Sequence, residues 1–306
     1  MNADYLNTVR LLLKVAPVAL GSEVFALKGG TAINLFVRDL PRLSVDLDLV
    51  YRIHSDARDV ALATIQSEIA KMASELTAME FGVEAAKNPQ GDEVKLFVRE
   101  GQYRIKVEIN YVFRGTIRPV ALSDLSPVVE DQFFTELTVP MLAMEELYGS
   151  KLVAAMDRQH PRDLFDVLGL YASVGLSEAV VECFVCYLAG HNRPVHEVLF
   201  ASEVDLESAY ENEFQGMTSD PVALSDLIEV RRRLFAELPR ALTLSHRNFL
   251  LSLVQAEPQW ELMSCSHLSE LPALKWKLRN LEQLKSSNPE KFAAQANELE
   301  ARFSVL

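Results

Sequence analysis

Residues Phe25 to Tyr51 read FALKGGTAINLFVRDLPRLSVDLDLVY, and this stretch decides how the chain folds, because a Gly-Gly pair joins one short apolar run to a second that carries two aspartates. In the second run Val45, Leu47 and Leu49 alternate with Asp46 and Asp48. Period-two alternation predicts a strand with one apolar face and both carboxylates on the other. Their α-carbons then lie about 6.5 to 7 Å apart, a span across which carboxylate oxygens can converge on one hard cation such as Mg²⁺. The plainer reading of an isolated D-x-D is a half-buried strand with a solvated acidic face. Gly29-Gly30 follows the apolar run VFAL and precedes the helical pattern TAINLFV. Unblocked amides at a helix start form a place for a phosphate to rest, and Thr31 can add a hydroxyl or cap the helix. A phosphate cradle beside paired carboxylates is the combination that nucleotidyl transfer needs.

Working outward, residues 3 to 20 read as an amphipathic helix and 56 to 79 as a long one. VEAAK, EVKLFVRE and YRIKVEINYVF read as strands, separated by turn signals at Asn88-Pro89-Gln90-Gly91 and Glu100-Gly101. Along the last of these, Ile105, Val107 and Ile109 make an apolar face, while Arg104, Lys106, Glu108 and Asn110 make a polar one. If this strand pairs with the aspartate strand, Glu108 sits beside Asp46 and Asp48. Three like charges there call for a bound divalent ion between them or for solvent screening. From about Met141 onward no strand pattern appears, and leucine-rich helical patterns dominate. The expected architecture is α+β: a mixed sheet with flanking helices over residues 1–140, then an all-helical domain over 141–306, with the boundary at LTVPML.

Composition narrows the function classes. The chain has 306 residues, 49% of them hydrophobic, so a large core needs no staples, and three cysteines fit a reduced, cytoplasmic setting. A formal charge of −13 argues against nonspecific attraction to nucleic acid over the whole surface, so any RNA contact must be local. No apolar run reaches the roughly 18 residues needed to span a bilayer. The segment RLLLKVAPVALGS, interrupted by Lys14, reads as part of the first helix rather than a leader.

A second stretch, EELYGSKLVAAMDRQHPRDLFDV from Glu145 to Val167, gathers charges at helical spacing. Lys151 and Arg158 are two turns apart and share a face that could meet a triphosphate. Pro161 suits the first turn of a new helix and places Asp163 and Asp166 together on one side of it. An ordinary salt-bridge network is the competing reading. Cys183 and Cys186, with His191 and His196 nearby, have the wrong spacing for zinc and lie in an apolar helical run, so they read as buried thiols. Arg231-Arg232-Arg233 reads as a solvated face, and Ser245 to Asn248 as a helix cap.

Taken together, LKGGTAINLF, RLSVDLDLVY and the Lys151-to-Asp166 block resemble the nucleotidyltransferase toxins of the AbiEii and MenT type, found in type IV toxin–antitoxin and phage abortive-infection systems. The resemblance covers roughly residues 20 to 170. It implies a polymerase-β-like nucleotidyltransferase domain that uses Mg²⁺ or Mn²⁺ to move a nucleotide from a nucleoside triphosphate to an acceptor. Asp46 and Asp48 would be catalytic metal ligands, with Glu108 as a third. Gly29, Gly30, Thr31, Lys151 and Arg158 would bind nucleotide, and Asp163 would be an essential acid. The implied acceptor is RNA, a tRNA 3′ end, and the implied role is growth arrest and phage defence, restrained by a cognate antitoxin. One departure is Gly30, where minimal nucleotidyltransferases often carry serine. The alternatives are an enzyme of the same fold acting on a small molecule, as antibiotic adenylyltransferases do, and a binding or regulatory protein of that fold without turnover.

Overall fold

The computed structural model describes residues 3–87 and 93–306. The turn expected at Asn88 to Gly91 lies outside them. The chain forms two compact units, Met1–Leu147 with Gly216–Pro221 and Tyr148–Gln215 with Val222–Leu306.

The first unit is built on strands β1 (Phe25–Lys28), β2 (Asp46–Tyr51), β3 (Gly82–Lys87), β4 (Glu93–Glu100), β5 (Tyr103–Asn110), β6 (Ala121–Asp124) and β7 (Thr138–Met141). They form one sheet in the order β3-β4-β5-β2-β1-β7-β6. It is mixed: β2 runs parallel to β5 and β1 parallel to β7, while β1–β2, β3–β4, β4–β5 and β6–β7 are antiparallel. Helices α1 (Ala3–Ala19) and α3 (Arg58–Ala78) pack on this sheet, α1 against β5 and α3 against β3 and β4. Their buried side chains, among them Val9, Leu12, Ile65 and Leu76, meet the apolar face formed by Leu47, Leu49, Ile105 and Val107. Burial of that face is the main driving force of the unit. It leaves the polar positions of β2 and β5 on the opposite side.

Helix α2 (Gly29–Ala32) starts at the Gly-Gly pair and passes directly into a π-helical turn over Ile33–Val37. TAINLFV was expected as an ordinary helix. The wider turn coincides with Asn34, whose buried side chain donates to the Gly30 carbonyl at 2.7 Å while the Asn34 backbone carbonyl accepts from Leu40 N–H at 2.8 Å. Side-chain competition for backbone partners of this kind loosens regular α pairing.

Two strands escape the sequence pattern. LTVPML, read as a boundary, contains β7, and Pro140 within it argues against a strand because proline cannot donate to a ladder. β6 lies at the edge of the sheet with three of its four residues exposed, so it shows no alternation. Between them runs α4 (Pro127–Phe133), capped by the Ser126 side chain.

α5 (Met144–Asp157) runs from the first unit into the second, and helices follow: α6 (Pro161–Ser173), α7 (Glu178–Ala189), α8 (Val195–Leu199), α9 (Glu207–Glu213), α10 (Leu224–Ala241), α11 (Leu244–Val254), α12 (Pro272–Ser287) and α13 (Pro289–Ser304). No strand is found among the described residues of the second unit. Glu182 of α7 is a buried joint there. It accepts from Ser264 N–H at 2.7 Å and pairs with His246 Nε2 at 2.7 Å. The cap of α11 is Thr243 rather than Ser245, in a reciprocal arrangement with His246. Arg231 is not part of a solvated face. It is buried, and its guanidinium donates to Gln159, the Val204 carbonyl and Glu203. Cys183, Cys186 and Cys265 are all buried and form no disulfide.

Candidate active site

On the polar side of the first unit's sheet, Asp48 of β2 stands directly opposite Glu108 of β5 in the parallel register, and Asp46 opposite Lys106. From the other neighbour, Lys28 of β1 stands opposite Asp48, and Lys95 of β4 stands opposite Glu108. Alternation therefore delivers six charged side chains to one patch. The Lys106 ammonium lies 3.3 Å from Asp46 Oδ2 and 2.8 Å from Glu108 Oε2, and Lys95 Nζ lies 3.0 Å from Glu108 Oε1. These lysines answer the charge problem posed by three carboxylates, which the sequence reading left to a metal or to solvent. Lys28, Asp48, Lys95, Glu108, Asn110 and Tyr111 line a cleft of about 510 Å³, a volume suited to a small ligand.

The electrostatics follow from this layout. Burial raises the Asp48 carboxyl above its ordinary value; Lys28 and Lys106 oppose that, and Asp46 and Glu108 add to it. Burial would also raise Glu108, but hydrogen bonds from Lys106 and Lys95 outweigh it and hold this carboxyl below its usual range. Burial would lower Lys106, yet its bond to Glu108 and the fields of Asp46, Glu108 and Asp48 keep its ammonium above the ordinary lysine value.

The Gly-Gly turn is fitted to the same patch. Gly29 has φ +79°, a left-handed conformation that favours glycine, and a Cβ there would collide with the Asp48 carboxylate. A Cβ on Gly30 would come within 2.6 Å of Arg42 Nη2 and 2.9 Å of Ser44 Oγ. Arg42 and Ser44 thus fill the space that a serine at position 30 would need. Thr31 does not cap α2, whose cap residue is Lys28. It is fully buried, and its hydroxyl donates to the Asp46 carbonyl at 2.6 Å, fastening the helix start to the aspartate strand.

Chemically, Asp46, Asp48 and Glu108 are the oxygen donors that a hard divalent cation takes, and they occupy neighbouring positions on paired strands. Among the described residues no three or more His, Cys, Asp or Glu side chains are already gathered into a metal cage. The donor set fits a divalent ion in kind, and Lys106 pairs with two of its members, Asp46 and Glu108.

In the second unit the charges of the Glu145-to-Val167 stretch form their own cluster. Lys151 of α5 is 8% exposed, and Asp163 and Asp166 of α6 are 1% exposed. Lys151 Nζ lies 2.8 Å from Asp163 Oδ1 and 3.1 Å from Asp166 Oδ2. Arg158, whose side chain is largely solvent-facing, donates from Nη2 to Asp163 Oδ1 at 2.9 Å. Burial would raise Asp163, but the charge of Lys151 and the bonds from Arg158 and Lys151 drive its pKa far below the usual carboxylate range. The structure thus gathers Gly29, Gly30, Thr31, Asp46, Asp48 and Glu108 in the first unit, and Lys151, Arg158 and Asp163 in the second. Lys28 and Lys95 went unremarked in the sequence. Their part follows only from strand register, although the period-two pattern already put Lys106 on the face of Glu108.

Among the described residues, no helix is long and apolar enough to cross a membrane. Residues 10–280 match the family described as nucleotidyl transferase AbiEii toxin, type IV toxin–antitoxin system. No curated protein sequence matches the chain. Among solved structures, MenT4, a nucleotidyltransferase toxin from Mycobacterium tuberculosis, superposes with a TM-score of 0.59 at 18% identity, covering 92% of this chain and 95% of that one. JHP933 from Helicobacter pylori gives a TM-score of 0.44 at 18% identity, over 78% of this chain and 95% of that one.

Proposed function

The chain belongs to the AbiEii nucleotidyltransferase toxins of type IV toxin–antitoxin systems, and from that premise we propose that it transfers a nucleoside monophosphate from a nucleoside triphosphate to an RNA, a tRNA 3′ end, so arresting growth until a cognate antitoxin restrains it. The observation that carries the reading is the Asp48 carboxylate set against the bare α-carbon of Gly29, which brings the carboxylate strand directly against the Gly-Gly turn.

The residues divide the work as follows. The Gly29-Gly30 turn and the lysines of the cleft, Lys28 and Lys95, receive the triphosphate. Asp46 and Asp48, with Glu108 beside them, would hold the divalent ion that the family's chemistry uses; when bound, that ion neutralises phosphate charge and favours attack at the α-phosphorus. The acceptor hydroxyl oxygen forms a bond to the α-phosphorus and loses its proton to solvent as the bond to the bridging oxygen of the β-phosphate breaks, and pyrophosphate leaves with that oxygen. Thr31 keeps the aspartate strand in place against the turn. In the second unit Lys151 and Arg158 keep Asp163 ionised.

The test is a labelling reaction. The purified protein, given Mg²⁺ or Mn²⁺, each labelled nucleoside triphosphate in turn and total cellular RNA, is expected to label a band of tRNA size. RNA left unlabelled by all four triphosphates while a small molecule is modified would support the antibiotic-type alternative. No triphosphate consumption with any acceptor would point to a binding protein.

A further inference from the structure

The charged patch of the candidate active site is electrically balanced as it stands: Asp46, Asp48 and Glu108 face Lys28, Lys95 and Lys106. Balance has a cost for a metalloenzyme. Both oxygens of Glu108 are taken, Oε1 by Lys95 at 3.0 Å and Oε2 by Lys106 at 2.8 Å, and Asp46 Oδ2 holds Lys106 at 3.3 Å. A divalent cation approaching this patch finds no net negative charge to draw it. The oxygens it would share are already serving an ammonium. Lys106 touches both Asp46 and Glu108, and Lys95 touches Glu108.

We propose that Lys106 is a displaceable counter-ion that links metal binding to triphosphate binding: its ammonium holds Asp46 and Glu108 until an incoming triphosphate draws it away and exposes their oxygens to the divalent ion. The proposal rests on the nucleotidyltransferase reading above and deepens it. The flexible four-carbon stem of lysine, ending in a compact charge, suits such a transfer between anions. The exchange leaves every anion paired, because the ammonium moves from two carboxylates to phosphate as the divalent ion takes its place. Coupling of this kind is reciprocal, so the divalent ion favours triphosphate binding as much as triphosphate favours the ion.

Two binding measurements on the full chain, each with a single probe, give the proposal a signature of opposed sign. With Mn²⁺ alone and no nucleotide, Lys106→Met is expected to bind about ten-fold more tightly than wild type, because the competing charge is gone. With inorganic tripolyphosphate alone and no metal, the same variant is expected to bind several-fold more weakly. Lys106→Arg, which keeps the charge, should track wild type more closely in both, and Lys95→Met should raise Mn²⁺ affinity much less than Lys106→Met. A role in packing alone would weaken both ligands together. Unchanged or weaker Mn²⁺ binding by a folded Lys106→Met protein overturns the proposal while leaving the transfer reading intact, provided wild type still labels RNA. If adding Asp48→Asn to Lys106→Met leaves Mn²⁺ affinity undiminished, the ion binds elsewhere, and the assignment of the site fails along with the proposal.

Discussion

At the scale of the residue, the sharpest contrast lies between the two acidic groups. Asp46, Asp48 and Glu108 are half-buried and lie among three lysines, whereas Asp163 and Asp166 are buried and both pair with Lys151, Asp163 also with Arg158. Lys151→Ala takes a buried cation from Asp163 and Asp166 while Arg158 stays on Asp163, so it is expected to destabilise the second unit by about 3 kcal/mol, read as a fall in Tm or in denaturant midpoint. The pH dependence tests the cause. The folded pKa of Asp163 lies below its unfolded value, so its contribution is complete above about pH 4 and is lost as pH falls below that toward the depressed folded value. Wild type should therefore lose stability on acidification below about pH 4, and Lys151→Ala should lose less over the same range. A variant that matches wild type in both stability and acid response would show that the cluster does not support the fold. The competing salt-bridge reading of Lys151 was correct as far as contacts go; what burial adds is that the bridge is internal, which helical spacing alone does not reveal.

At the scale of the element, the decisive unit is the β1–α2–β2 segment. A Cβ at Gly29 meets two penalties, a left-handed backbone at φ +79° and the Asp48 carboxylate in its path. Gly29→Ala is expected to cost about 1 to 2 kcal/mol from the backbone conformation alone. It should also displace Asp48 and so abolish triphosphate consumption well below the temperature at which it unfolds. Full activity in a folded Gly29→Ala protein would remove the close approach of turn and carboxylate from the mechanism. Most of this segment is legible in the sequence, because period-two alternation and a Gly-Gly pair are local signals. Thr31 shows where local signals stop: its hydroxyl lies beside a helix start and could have capped it, yet it serves the Asp46 carbonyl fifteen residues away. Pro140 in β7 and the exposed edge strand β6 were illegible for the same reason. Their pairing is dictated by the neighbours they meet in the sheet, not by their own pattern. The lysines opposite Asp48 and Glu108 likewise depend on a register that no single strand encodes.

At the scale of the whole molecule, the governing quantity is the formal charge of −13. A polyanion such as RNA is repelled by most of such a surface, so an RNA acceptor must be held through few phosphate contacts, and base or sugar contacts must supply the remaining affinity. Each neutralised phosphate on a single strand contributes about −0.7 to the slope of log K against log salt concentration, so an acceptor end engaged through about three phosphates gives a slope near −2. Filter binding of tRNA across about 50 to 300 mM salt measures it directly. A slope steeper than about −6 would mean that a broad basic face exists, contrary to the charge distribution inferred from composition, and would require an RNA footprint far larger than a 3′ end. No measurable tRNA binding at low salt, combined with tight binding of a cationic small molecule, would instead turn the same acidic surface into an argument for a small-molecule acceptor. The sign and steepness of the salt response therefore separate a local RNA contact from both alternatives, independently of turnover.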